Sequence, residues 1–261
     1  MRILFIGDVF GKPGRRVLDL ALGSLIVEHR IDFCAANAEN AAGGFGITPQ
    51  IADDLLSRDI DLLTSGNHVW DKKAIIPYLG TQPRLLRPAN YPAAAPGTGM
   101  FLGDSRCGVR IGVLNLQGRV YMPALDCPFA AARSAIEQMR KQTPVIIVDF
   151  HGEATSEKQA FAWCFDGKVS AVVGTHTHVQ TADERLLPRG TAYITDLGMT
   201  GPHDSVIGSI PDLALERFLV QIPVRLEPAA GNLRFCGAVI EIDEGTGRAT
   251  SILRLNIPVG T

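Results

Sequence analysis

Polar side chains that can bind a metal ion follow several short apolar runs of the sequence, at the point where each run ends. Gly7 and Asp8 follow the first run, and His151 closes a later one. The ligand crevice of an open parallel sheet lies at the carboxyl ends of its strands, so we expect these side chains to converge at one edge of a sheet. The candidate metal ligands are Asp8, Glu39, Asn40, Asn67, His151, His176 and His178.

The segment His176-Thr177-His178 is the strongest local signal for metal binding. In an extended segment, residues two apart project to the same side, so both imidazoles would face one region. Two imidazoles beside a buried strand are costly unless each ring nitrogen has a partner. The spacing predicts that they bind one cation or two adjacent cations. Other members of the set allow simpler roles when taken alone: Asp8 could cap a turn, and His151 could be a buried core histidine.

The donor set also limits the metal. Oxygen and nitrogen donors without a thiolate suit iron, manganese or zinc, and disfavour copper(I) or an iron–sulfur cluster. Seven ligands exceed the usual coordination of one ion, and they match two ions about 3.5–4 Å apart that share a carboxylate. We predict two transition-metal ions, with iron favoured and manganese or zinc as alternatives.

The elements that must position these residues alternate along the chain. Strands are predicted at the apolar runs and helices at amphipathic stripes between them, which indicates an α/β fold with a largely parallel sheet. One helix is predicted to begin near Thr155 or Ser156, either of which could cap it. Near the end, 235–242 and 249–255 predict a hairpin. Residues 1–261 are predicted to form a single domain. The predicted strands are Ile3–Ile6, Phe33–Ala36, Leu62–Leu63, Ile111–Leu116, Val145–Val148, Val169–Val173 and Ala192–Ile194.

Composition excludes some classes of function. The 25 basic and 27 acidic residues give a formal net charge of −2, which argues against an electrostatic grip on long nucleic acid but not against a small anionic substrate. The five cysteines include no C-x-x-C pair, so neither a disulfide framework nor a sulfur-rich zinc site is indicated. Since no run has the length of a signal peptide or a membrane span, we expect a cytoplasmic protein without a membrane partner.

Six segments resemble the calcineurin-like metallophosphoesterases, and more closely the bacterial YmdB-like phosphodiesterases. The Asn-Ala-Glu-Asn and Gly-Thr-His-Thr-His pieces are the most specific, and the segments occur in the expected order from residue 7 to residue 202. Residues after 202 add little to the resemblance. The segments are GDVFGKPGR at 7–15, NAENAAGGFGIT at 37–48, GNHVWD at 66–71, DFHGEATSEK at 149–158, VGTHTHVQTAD at 173–183 and TDLGMTGP at 195–202.

The resemblance implies a metallophosphoesterase-type four-layer α/β/β/α sandwich, two packed sheets with helices outside. It also implies the roles of the ligands, with Glu39 bridging two ions. One ion would be held by Asp8, Glu39, Asn40 and His178, and the other by Glu39, Asn67, His151 and His176. His68 would be the catalytic residue that protonates the leaving oxygen after attack by metal-bound hydroxide.

The sequence departs from the wider superfamily in three places. Phe10 stands where the first superfamily motif, Asp-x-His, has histidine, and Asn-Ala-Glu-Asn replaces Gly-Asp-x-x-Asp. Val69 follows His68 where an acidic residue is usual, which leaves Asp71 as a candidate to orient that imidazole. The first two departures match the YmdB-like pattern.

The substrate implied by the resemblance is a small phosphodiester, a cyclic nucleotide and in particular a 2′,3′-cyclic nucleoside monophosphate, with no stable nucleic-acid complex. Alternatives are a phosphomonoesterase or a nuclease on the same metal centre, and a regulatory protein that responds to a nucleotide or RNA. Against the last, no aromatic platform interleaved with basic residues is visible. Apolar strands after residue 202 could pair across subunits, which leaves a homo-oligomer open.

Overall fold

The computed structural model describes residues 1–260, which contain thirteen strands and six helices. The strands are β1 (Arg2–Ile6), β2 (Asp8–Val9), β3 (Phe33–Asn37), β4 (Leu62–Thr64), β5 (Met100–Asp104), β6 (Arg110–Gln117), β7 (Ile146–His151), β8 (Ala171–Thr175), β9 (Arg185–Leu186), β10 (Ala192–Ile194), β11 (Met199–Pro202), β12 (Leu233–Ile242) and β13 (Ala249–Pro258). The helices are α1 (Gly11–His29), α2 (Pro49–Leu56), α3 (Ile75–Leu79), α4 (Pro128–Met139), α5 (Thr155–Phe165) and α6 (Pro211–Val220).

The strands form two sheets. The first has the order β2-β11-β12-β1-β3-β4, with β13 on β12, and its strands β1, β3 and β4 are parallel. The second has the order β5-β6-β7-β8-β10-β9, and β6, β7, β8 and β10 are parallel. Each sheet therefore has a block of parallel strands whose carboxyl ends can carry site residues.

Alternate residues of each strand face different cores. In β1, Ile3 and Phe5 belong to the core between the sheets, whereas Leu4 and Ile6 pack in the core that includes residues of α1 and α2. In the second sheet, Ile147 faces the inter-sheet core, and Ile146 packs in the outer core with α4 and α5. The period of two thus builds three cores and four layers. The predicted α/β/β/α sandwich is confirmed.

Two local predictions have different outcomes. The C-terminal hairpin is confirmed, because β12 and β13 pair antiparallel from Arg234 opposite Pro258 to Ile242 opposite Ala249. The predicted cap of α5 is wrong. Ala154 occupies the extended N-cap position and makes no side-chain hydrogen bond to the helix. Thr155 is consequently already inside the first turn, past the position from which a hydroxyl caps the following amides.

None of the helices within residues 1–260 has the length and apolarity to cross a bilayer.

Candidate metal centre

The candidate ligands lie at the carboxyl ends of both sheets, not at one edge of a single sheet. Asp8 and the segment 37–40 come from the first sheet, whereas His151 ends β7 of the second. The single-sheet expectation was wrong because hydrophobic periodicity identifies strands but not the sheet to which each belongs. The two parallel blocks end at the same rim of the sandwich, and the candidate ligands meet there.

Glycines allow the backbone segments to approach closely at this rim. A Cβ atom on Gly66 would lie 2.2 Å from Nε2 of His151 and 2.5 Å from Oε2 of Glu39. A Cβ atom on Gly7 would lie 2.0 Å from the carbonyl oxygen of Gly198. A side chain at position 66 would displace the candidate ligands His151 and Glu39, and one at position 7 would disrupt the backbone contact with Gly198 that positions Asp8. Glycine is therefore required at both positions for steric reasons.

One cluster of ligand atoms surrounds Nε2 of His151. Oε1 of Glu39 lies 3.1 Å from this nitrogen, Oδ1 of Asn67 lies 3.0 Å from it, and Nδ1 of His176 lies 3.1 Å from it. The side chains of Glu39 and His151 are buried, and ligand atoms of Glu39, His151 and His176 all fall within 4.8 Å of one another.

A second cluster also includes Glu39. Nδ2 of Asn40 is 3.3 Å from Oε1 of Glu39 and 2.9 Å from Nε2 of His178, and Oδ1 of Asp8 is 3.8 Å from the same His178 nitrogen. Nδ1 of His178 donates to the carbonyl oxygen of Ile207 at 2.8 Å. The proton on Nδ1 leaves Nε2 with a lone pair that is directed at the cluster.

These residues fit metal ions. Ligands bound at about 2.1 Å and at right angles lie roughly 3 Å apart, which is the spacing found around His151. In the second cluster, the buried atoms Oδ1 of Asp8 and Oδ1 of Asn40 have no hydrogen-bond partner. Buried acceptors without a partner are costly, and a cation is the group that would satisfy both. All seven predicted ligands are brought together, in two clusters joined by Glu39.

The two histidines of the His-Thr-His segment join different clusters. They have positive φ values, 103° at His176 and 67° at His178, so the segment is a turn and not an extended strand. The expectation that both imidazoles project from one side of an extended segment was therefore wrong, because β8 ends at Thr175. The turn directs His176 to the cluster of His151, and His178 to that of Asn40 and Asp8.

Burial and mutual charge shift the pKa values at this centre. Burial raises the pKa of Asp8 well above its ordinary value, and the carboxylates of Asp196, Glu39 and Asp149 raise it further. Burial alone would also raise the pKa of Glu39, but His151 outweighs burial and lowers it to about 2. Burial disfavours the imidazolium of His151, yet Glu39 raises that pKa to about 9. Burial and His151 lower the pKa of His176 to about 3.

Behind the ligands lies a buried polar network that the sequence reasoning missed. Oγ1 of Thr175 donates to Oδ1 of Asp149 at 2.7 Å and lies 2.9 Å from Nδ1 of His151. Nζ of Lys158 donates to Oδ2 of Asp196 at 2.7 Å, and the same oxygen accepts the backbone N–H of Thr177. A charged residue inside the apolar run 145–150 was the available signal for Asp149.

His68 lies at the mouth of the centre and is not a member of either cluster. Its backbone N–H donates to Oε2 of Glu39 at 3.2 Å, and its Nδ1 lies 2.9 Å from Oδ2 of Asp71. The ring of Phe45 packs edge-on against the imidazole, with 5.2 Å between centroids. His68, Glu39, Asn40, His176 and His178 line one cavity of about 340 Å³. Glu153, which the sequence reasoning also missed, lines it too, with Oε2 3.1 Å from Nε2 of His176.

Comparison with known proteins gives matches over nearly the whole chain. The family described as YmdB-like protein matches residues 4–255. The 2′,3′-cyclic-nucleotide 2′-phosphodiesterase of Bacillus subtilis is 48% identical over 257 residues, which cover 98% of this chain and 97% of that protein. A hypothetical protein from Thermus thermophilus superposes with a TM-score of 0.93 at 38% identity and covers 100% of both chains. A novel phosphatase from Mycoplasma pneumoniae superposes with a TM-score of 0.92 at 32% identity, covering 99% of this chain and 94% of that one.

Proposed function

The chain belongs to the YmdB-like family, and on this premise we propose that it is a metal-dependent phosphodiesterase that hydrolyses 2′,3′-cyclic nucleoside monophosphates. The observation that carries the proposal is the convergence of seven ligand side chains into two clusters that share Glu39. The named activity of the Bacillus subtilis relative, 48% identical to this chain, supports the substrate class.

Two metal ions fit the two clusters. Asp8, Asn40 and His178 would hold one ion, Asn67, His151 and His176 would hold the other, and Glu39 would bridge them. Bound ions would supply positive charge to the phosphate oxygens and acidify water at the site. Oxygen and nitrogen donors without a thiolate suit iron, manganese or zinc, and iron stays our first prediction.

The protein's own residues position the phosphodiester and control protons. The cavity of about 340 Å³ is within the size range of small-molecule sites and opens directly onto both clusters. Asp71 accepts a hydrogen bond from Nδ1 of His68 at 2.9 Å. The other ring nitrogen of His68, Nε2, is therefore free to contact a substrate in the cavity. In its protonated form, His68 would donate the Nε2 proton to the departing ester oxygen as a general acid.

A phosphomonoesterase on the same centre is the second candidate. The match to a protein described as a novel phosphatase from Mycoplasma pneumoniae favours considering it, and the same ligands would serve either reaction. A regulatory protein would not need an oriented imidazole at the mouth of the centre, so the His68–Asp71 pair supports a hydrolase over a sensor. A single domain over residues 1–261, a cytoplasmic location and a homo-oligomer stay predictions.

The test is to purify the protein without chelator, measure bound metal by elemental analysis and assay 2′,3′-cyclic AMP, with Asp8→Ala in parallel. We expect about two transition ions per chain and hydrolysis that is lost in the variant. Metal without hydrolysis of the diester would redirect the proposal to monoesters. A protein that neither binds manganese or iron nor cleaves any phosphoester would refute it.

A further inference from the structure

A second cavity of about 500 Å³ lies beside the cavity of the metal centre. The two share three lining residues, Phe45, Arg217 and Leu226, so they are adjoining compartments of one cleft. The second compartment contains no candidate metal ligand. Its walls come from the glycine-rich loop after β3, from Lys72, from Arg217 of α6 and from the segment that follows α6. We call it the basic annex, defined by Lys72, Arg217, Arg225, Phe45 and Glu227.

The charge of the basic annex sets it apart from the rest of the protein. Lys72, Arg217 and Arg225 line it together with a single carboxylate, Glu227, although the whole chain has a net charge of −2. Within residues 1–260, none of the three cations forms a salt bridge, in contrast to Arg58 and Arg254 elsewhere on the surface. Three unpaired cations around one concavity repel one another and create a positive potential that an anion would relieve.

The position of the annex indicates which anion. The cyclic phosphate of the proposed substrate would occupy the metal centre, where the ligand clusters supply the charge for it. The positive charge in the annex is therefore available to a second anionic group on the same molecule. Phe45 lines both compartments, and an aromatic ring at such a junction can pack against a base or a ribose.

We propose that the basic annex binds a phosphate on the 5′ side of the nucleoside whose 2′,3′-cyclic phosphate is hydrolysed. The inference deepens the proposed function and rests on it. The shared chemistry is a 5′-linked phosphate, which can come from a 5′-phosphorylated cyclic mononucleotide or from the last internucleotide linkage of a short RNA that ends in a cyclic phosphate. Three cations can neutralise about one phosphate group. A site of this size suits a small ligand, which agrees with the absence of any long basic stripe in the sequence.

The test compares kcat/KM of the metal-loaded protein on three substrates: adenosine 2′,3′-cyclic phosphate, its 5′-phosphorylated form, and a dinucleotide that ends in a 2′,3′-cyclic phosphate. We expect a preference of about tenfold for at least one substrate with a 5′-linked phosphate, as two or three exposed charge contacts would give. A preference for only the mononucleotide or only the dinucleotide identifies the source. The preference should decrease with added salt, because the annex is open to solvent.

The double variant Lys72→Gln with Arg225→Gln should bring the preference close to one. Arg133→Gln, on the exposed face of α4, is the control that should retain it. Equal kcat/KM on all three substrates in the unmodified protein, or a preference that survives the double variant, would overturn the inference.

Binding gives an independent readout if none of the three substrates is hydrolysed, a result that would count against the proposed function and not against the annex. Calorimetry would compare adenosine 3′,5′-bisphosphate with adenosine 3′-phosphate. The added 5′-phosphate should lower Kd about tenfold in the unmodified protein and leave it unchanged in the double variant. Equal Kd values for both ligands in the unmodified protein would overturn the inference.

Discussion

Oδ2 of Asp71 lies 2.9 Å from Nδ1 of His68, three residues earlier in the chain. The contact holds the Nδ1 edge of the imidazole, and the ring of Phe45, packed edge-on, limits rotation of the imidazole. The position that carries an acidic residue in the wider superfamily, directly after this histidine, is Val69, whose side chain is buried. We therefore propose that Asp71 supplies, two residues after that position, the carboxylate that orients His68.

The first prediction concerns this pair. His68→Gln should lower kcat on 2′,3′-cyclic AMP by about 10²–10⁴-fold, because it removes the proton donor. Asp71→Asn should lower kcat less, by about tenfold, because the imidazole loses the carboxylate that holds its orientation. Both variants should retain bound metal by elemental analysis. Full turnover in His68→Gln would remove this residue from the mechanism.

The second prediction concerns the proposed bridging role of Glu39. Glu39→Gln should reduce bound metal at both clusters, because Oε1 of Glu39 is near both Nε2 of His151 and Nδ2 of Asn40. Asn40→Ala should reduce it by about one ion per chain, since this residue belongs to one cluster. Elemental analysis measures the metal content of both variants, with Glu137→Gln on the exposed face of α4 as the control. Equal metal content in Glu39→Gln and Asn40→Ala would contradict the bridge.

The third prediction concerns Asp149, which lies behind the candidate ligand His151 and is linked to it through Thr175. Its carboxylate accepts a hydrogen bond from the hydroxyl of Thr175. The hydroxyl oxygen can then accept a hydrogen bond from Nδ1–H of His151, which keeps the lone pair of that imidazole on Nε2. Asp149→Asn should weaken metal affinity by about 10–100-fold, as is typical for partners behind a metal ligand. Competition with a chromogenic chelator measures this affinity, and an unchanged value would show that Asp149 has no orienting role.

The fourth prediction concerns the buried pair of Lys158 and Asp196, whose side chains are each 1% exposed. Lys158→Met should lower the free energy of unfolding by about 3–5 kcal/mol, because it leaves the carboxylate of Asp196 buried without its cation. Asp196→Asn combined with Lys158→Met should recover part of this loss. Urea unfolding of both variants measures the difference, and a loss below about 1 kcal/mol in the single variant would contradict the prediction.

The fifth prediction concerns pH and metal together. The pKa of His151 is about 9 in the folded metal-free chain, above its ordinary value of 6.5, so its contribution to stability is complete below pH 6.5 and is lost as pH rises through 9. The raised pKa of Asp8 acts in the same direction, because the buried carboxyl is disfavoured once it ionises.

Metal-free protein should therefore lose stability between pH 6.5 and 9. Metal-loaded protein should lose less, since bound ions favour the neutral imidazole and the ionised carboxylate. The difference in Tm between the two forms should widen across this range. Parallel Tm curves with and without chelator would contradict the assignment of these residues as ligands.

The sequence determined the chemical identity of the site. Asp8, Glu39 and His151 are recognisable from the order of residue types alone, because each follows or ends an apolar run, and the ends of such runs are where a sheet exposes polar groups to a ligand. The seven strands at the apolar runs, most of the helices and the C-terminal hairpin were also predictable, because each depends on residues that are near one another in the chain.

Only the tertiary structure decided which strands share a sheet, which cluster each histidine joins and which residues support the ligands. His176 and His178 diverge because of two positive φ values in a turn, a backbone feature that the residue types do not reveal. The pair of Lys158 and Asp196 and the network of Asp149 and Thr175 join residues far apart in sequence. The basic annex brings Lys72 to Arg217 and Arg225. Such contacts arise from the packing of separate elements, and local periodicity carries no information about them.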